Sequence, residues 1–143
     1  MNKVQIRDAL VAHMEVLADM WKAEGRPLHI ELDNQDDIDL SNMAETFVIF
    51  SIEWDGSAQK NVAWNPDHRY YGTVFIILMG KKGTGTRNRL MLEDEITDHF
   101  KFKALGGVHV NEPGAPGSPE AHDGWHAITV SFPFFADSNT TPY

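Results

Sequence analysis

The sequence predicts an α+β domain in which a mainly antiparallel β-sheet is packed by two α-helices. Three observations carry that expectation. Two segments repeat apolar residues every three or four positions, several runs are rich in β-branched and aromatic residues, and glycine or proline punctuates the joins. The elements read helix, strand, strand, strand, helix, strand, strand. Neither an internal repeat nor a domain boundary is visible, so residues 1–143 form one domain.

In residues 4–24, Ile6, Leu10, Met14, Leu17 and Trp21 line one stripe, while Arg7, Asp8, Glu15, Asp19 and Lys22 fall mostly off it. Gly25 and Pro27 stop this first helix, because glycine accepts the left-handed cap and proline cannot continue it. Leu28, Ile30 and Leu32 then alternate with His29 and Glu31 as a short half-buried strand. Residues 33–42 (DNQDDIDLSN) read as an acidic loop. Residues 46–54 (TFVIFSIEW) read as a strand closed by the turn residues Asp55, Gly56 and Ser57. A polar connection follows as far as His68.

Residues 69–79 (RYYGTVFIILM) form the strongest strand, and the run from Val74 to Met79 predicts burial on both faces in the middle of the sheet. Residues 80–86 (GKKGTGT) read as a flexible loop. In residues 87–100, Leu92, Ile96 and Phe100 form a second helical stripe, joined by Leu90 and His99. A turn at Gly106 and Gly107, a short strand over 108–111 and an irregular proline-rich stretch over 112–121 follow. In the last strand, 125–135, Trp125, Ala127, Thr129 and Ser131 face one way, and Ile128, Val130, Phe132 and Phe134 face the other. The polar segment 136–143 is expected to be a flexible tail.

A chain of 143 residues with 42% hydrophobic side chains has the material for a core. At this size folding buries roughly 70% of the unfolded surface. It contains no cysteine, which removes disulfides and thiolate metal sites. No segment reaches the ~20 apolar residues that span a bilayer, and the N-terminus lacks the apolar run of a signal peptide. The expectation is a soluble protein without membrane contact. A net charge of −9, from 21 acidic and 12 basic side chains, opposes binding to phosphate backbones.

No catalytic pattern emerges, so the expectation is not an enzyme, and neither cofactor nor metal is expected. GKKGTGT lies between a strand and a helix, where glycine amides and a helix N-terminus could receive an anion. Its lysines precede the second glycine, contrary to the P-loop order, so a nucleotide site stands beside the plainer reading of a connecting loop. His122 and His126 flank Asp123 and Gly124. On one strand their imidazoles would lie about 13 Å apart, too far to share an ion. Asp33, Asp36, Asp37 and Asp39, and Glu93, Asp94 and Glu95, lack calcium-loop spacing and read as solvated acidic faces. Ser57, Ser118 and Ser131 sit in no nucleophile motif. Trp64, Arg69, Tyr70 and Tyr71 flank a long connection and suit either an interface or the closing of a sheet edge.

From RYYGTVFIILMGKKGTGTRNRLMLEDEITDHF through the Gly-Gly-Val turn to DGWHAITVSFPFFAD, the chain resembles bacteriophage tail terminator-like proteins, the minor tail proteins of lambda-like siphophages. The shared order is an Arg-Tyr/x-Gly strand, a glycine-threonine loop, a helix ending in Phe, a Gly-Gly-Val strand and a last strand ending in an aromatic and Ala-Asp. Where members carry Trp-Glu-Asn and a proline-rich stretch after the first helix, this chain has His29, Ile30, Glu31 and the acidic segment.

The resemblance implies a subunit of a homo-hexameric ring in the virion tail, assembled in the host cytoplasm. Such a ring stops tube polymerisation, contacts the tail tube protein and receives the head completion proteins, with DNA only passing through. The acidic balance suits that channel. A neck adaptor of the head is the neighbouring alternative. The ring contact is expected at the sheet edge and the two long loops, through Trp64, Arg69, Tyr70, Lys81, Lys82 and Thr84.

Overall fold

The computed structural model describes residues 2–32, 46–59, 67–81, 87–114, 120–122 and 124–139. Helix α1 (Lys3–Ala23) begins at a capping box: the Asn2 side chain accepts from the Gln5 amide, and the Gln5 side chain accepts from the Asn2 amide, both at 2.9 Å. Such a cap stabilises a helix by about 1 kcal/mol. Its end is the predicted one, with Gly25 at φ 77 and the Arg26 amide returning to the Trp21 carbonyl. The expected stripe, joined by Val11, is the buried one.

Strands β1 (His29–Leu32), β2 (Thr46–Gln59) and β3 (Asp67–Lys81) precede helix α2 (Arg87–Phe100). Then come β4 (Ala104–Leu105), β5 (Val108–Val110), β6 (Glu120–His122) and β7 (Trp125–Asn139). The sheet runs β1-β2-β3-β7-β5-β4, with β6 on β7. It is mixed rather than antiparallel throughout: β1 runs parallel to β2, and every other described pair is antiparallel. Leu32 and Thr46 are separated by the length a parallel crossover needs, not by a hairpin turn.

Several boundaries differ from the sequence expectation. Strand β2 does not stop at Asp55; a bulge between Trp54 and Gly56 absorbs one residue and pairing continues to Gln59. The connection is thereby reduced to residues 60–66, which lie outside the described set, as do the acidic segment and residues 82–86. Strand β7 continues past Phe135 to Asn139, so residues 136–139 are not a tail, and Ala136 is fully buried. Strands β4 and β6 are too short to leave a periodic signal.

In α2, Leu92, Ile96 and Phe100 are buried as expected, but Leu90 is 51% exposed and Arg89 takes the inward position. Leu90 lies two residues from Leu92, about 200° around the helix, so it cannot share that face.

Both helices pack on one face of the sheet. Val48 and Phe50 of β2, Val74, Ile76 and Leu78 of β3, and Ile128, Val130, Phe132 and Phe134 of β7 meet them in a single core. Phe100 stacks on Phe132 with ring centres 5.3 Å apart. The helices are joined by a reciprocal pair of histidines. His13 Nε2 donates to the His99 carbonyl at 2.6 Å and His99 Nε2 donates to the His13 carbonyl at 2.7 Å, with the rings stacked 3.8 Å apart. A carbonyl only accepts, so both Nε2 atoms carry hydrogen.

Burial holds His99 below the ordinary imidazole value of 6.5; the His13 ring and Lys103 push the same way, against the hydrogen bond to the His13 carbonyl. The unfolded chain therefore binds a proton at this site more readily than the folded one. Its stabilising effect is complete above about pH 6.5 and is lost as pH falls below it. Urea unfolding at stepped pH should show a midpoint that drops on acidification, and His99→Gln should flatten that dependence.

Gly72 has a separate constraint. A methyl group there would lie 2.5 Å from Cζ of Phe134, its cross-strand partner, and 2.8 Å from the Glu53 carbonyl oxygen. Gly72→Ala should therefore destabilise by roughly 1–3 kcal/mol through overpacking, measured by denaturant unfolding; an unchanged midpoint would show that Phe134 moves aside freely.

Candidate assembly surface

The face of the sheet away from the helices is built by the odd-numbered residues of β3 and β7, and of β2 as far as its bulge, because side chains alternate along a strand. At one end it carries its own apolar cluster: Phe47, Met79, Trp125 and Ala127 are buried, and Ile49 and Ile77 pack against them. Phe47 meets Trp125 edge-on at 5.2 Å, and the Lys81 ammonium lies 5.6 Å from the Trp125 ring.

The other end is polar and aromatic. Arg69 Nε donates to Asp137 Oδ1 at 2.8 Å and Nη2 donates to Oδ2 at 3.3 Å, a two-pronged pair across β3 and β7. This contact, ahead of a smaller one from Tyr71, keeps the guanidinium more firmly protonated than usual. The same guanidinium lies 4.4 Å from the Phe135 ring, which stacks on His109 of β5 at 4.8 Å. Tyr71 stands directly across from Phe135 and is 41% exposed. Three strands thus contribute to one surface of Arg69, Tyr71, Phe135, Asp137 and His109.

The expected interface residues do not converge. Arg69 is on this face but engaged within the chain. Tyr70 points the other way, half-buried against the main core. Lys81 is exposed at the far end of β3, roughly 40 Å from Arg69 along an extended strand. Trp64, Lys82 and Thr84 lie outside the described residues. Phe135, Asp137 and His109 went unread because cross-strand register is not visible in a linear sequence, although the alternation of β7 already placed Phe135 with Trp125.

On the helix side, α1 and α2 enclose a groove of about 340 Å³ floored by Leu17, Met20 and Trp21. The Trp21 indole donates to Glu95 at 2.6 Å, and Arg26 bridges Glu95 at 3.2 Å and Glu24. A second groove of about 240 Å³ lies between Leu28, Thr46 and Met91. Among the described residues, no three His, Asp or Glu side chains are grouped to hold a metal ion. His122 and His126 sit on the two strands of the β6–β7 hairpin, with Gly124 at φ 87 in the turn, rather than along one strand. Among the described residues, no helix is long and apolar enough to cross a membrane.

No protein-family model matches the chain, and no curated protein matches it by sequence. A solved structure of an uncharacterised protein is similar to it, with a TM-score of 0.63, 19% identity and 96% of each chain covered. At that identity the likeness shows the fold alone.

Arg69→Glu would set two carboxylates against each other across β3 and β7. It should lower the melting temperature of the isolated subunit, and the exchange Arg69→Glu with Asp137→Arg should restore it. A single variant that melts like the parent would mean that the pair adds nothing to the fold and that Arg69 is available to a neighbour.

Proposed function

We propose that the chain is a tail terminator-like structural subunit of a phage: it forms a ring at the end of the tail tube, stops tube polymerisation and presents the surface that joins the head. The supporting observation is where the resemblance falls on the fold. Its first and last residues, Arg69 and Asp137, pair with each other, and Gly72 is required by Phe134. Its helix ends in the buried Phe100, and its Gly-Gly-Val turn joins β4 to β5. The motifs therefore describe one connected two-layer unit rather than scattered likenesses.

A ring needs two different surfaces on each subunit, so that contacts run head to tail and close. The helix layer and the end of the opposite sheet face that holds Arg69, Tyr71 and Phe135 supply two such surfaces. The partners on this reading are other copies of the chain, the tail tube protein and the head completion proteins, in the virion and in the host cytoplasm during assembly. The −9 charge favours a lumen that DNA crosses without adhering.

Light scattering on a size-exclusion column over a concentration series is the test. The expected mass is a multiple of the 16.1 kDa subunit, near six copies. A mass fixed at one subunit throughout would count against a ring formed by the protein alone. Added ATP or GTP should leave the melting temperature unchanged. Stabilisation approaching about 2.7 kcal/mol at a hundredfold excess over Kd would instead assign the chain to nucleotide binding.

A further inference from the structure

Phe102 combines two unfavourable features. Among the described residues it is the one non-glycine residue at positive φ, 55°, two positions beyond the end of α2, where glycine is the usual occupant. It is also 70% exposed, more than any other large hydrophobic side chain described. Backbone strain and an aromatic ring in water are both costs to the isolated chain. A hydrophobic anchor held outward by its backbone is the form that binding hot spots take.

The flanking residues identify what receives it. Lys101 and Lys103 are exposed on either side, so the turn is a basic knob on an acidic protein. The groove between α1 and α2 has the matching chemistry. Its floor is Leu17, Met20 and Trp21, and Met20 is 50% exposed. Its rim holds Glu24, Glu95 and Asp98 against a single guanidinium, that of Arg26. At about 340 Å³ it exceeds the roughly 150 Å³ in which an apolar cavity accepts a benzene ring. Within the chain, Lys101 already lies 3.3 Å from Asp98 at 45% and 74% side-chain exposure, a pairing weak enough to be exchanged. Two copies of a chain with net charge −9 repel, so the contact that Coulomb's law favours brings a basic feature of one to an acidic feature of the other.

We propose that the Lys101-Phe102-Lys103 turn is an intermolecular anchor that seats its ring in the acidic-rimmed groove between α1 and α2 of a second copy of this chain. The inference rests on the reading of the chain as an assembling subunit and names the residues of one contact. Phe102 is not among the residues that line the groove, so one copy can give its ring while its own groove receives another's.

The test is light scattering on the full chain and two variants. Phe102→Gly suits φ 55 without strain, so its melting temperature should be unchanged or higher, while self-association weakens by roughly tenfold or more. Met20→Asp spoils the groove at an exposed position and should have the same effect on mass. Mixing the two variants should produce a heavier species that neither forms alone, because each retains the half that the other lacks. A parent oligomer whose mass survives Phe102→Gly would overturn this contact and leave the assembly reading standing. A parent that is monomeric at every concentration would overturn this contact and count against a ring formed by the protein alone, and a mixture that stays monomeric would overturn the pairing of ring with groove.

Discussion

The structure depends on the register of β3 between its two neighbours. Strand β3 pairs with β7 without interruption from Lys81–Trp125 to Asp67–Asn139, and with β2 from Gly80–Thr46 to His68–Gln59 across one bulge. That register decides which side chains are buried, because a slip of one residue would turn every core residue of a strand to the opposite face. It is pinned at separated points. The Arg69–Asp137 pair fixes one end, Gly72 receives the Phe134 ring near it, and Trp125 closes on Phe47 and Lys81 at the other.

The rest follows from the two faces that this register creates. One face holds the core residues Val74, Ile76 and Leu78 of β3 and Ile128, Val130, Phe132, Phe134 and Ala136 of β7, and takes both helices. The helices are fixed to each other by paired histidines as well as by packing. Among the described residues the other face carries no helix. It holds a second buried cluster of Phe47, Met79, Trp125 and Ala127, and it leaves Tyr71 exposed beside the Arg69–Phe135 contact.

Much of this was legible in the sequence where one periodicity dominates. The α1 stripe, the α2 bounds, the central place of β3 and the alternation of β7 all come from repeats long enough to outvote single residues. The capping box of Asn2 and Gln5 went unread. What was not legible has three causes. A bulge lets β2 pass through turn residues that ordinarily end a strand. Strands of two or three residues, such as β4 and β6, have no period to detect. Pairing between distant residues, such as Arg69 with Asp137 or His13 with His99, leaves no mark on either local segment. The candidate surface suffered most from the last cause: Arg69 was read as an interface residue, and its partner within the chain lies 68 positions away.

A chain whose local preferences agree with its fold has no need to carry exposed strain. Here agreement is close in α1, β3 and β7, where propensity, pattern and burial coincide. Disagreement is concentrated on the α2 side. Arg89 occupies an inward position with 4% exposure, where an apolar residue would pack more simply. Phe102 occupies a backbone state suited to glycine and keeps its ring in water. Arg89 is accounted for inside the molecule, since its guanidinium reaches the His126 carbonyl and so ties the start of α2 to β7. No comparable contact within the described fold accounts for a Phe that is 70% exposed, and glycine would serve the turn better. The two exceptions therefore differ in kind: one is a cost offset inside the subunit, and the other gains its return only when a second surface covers it.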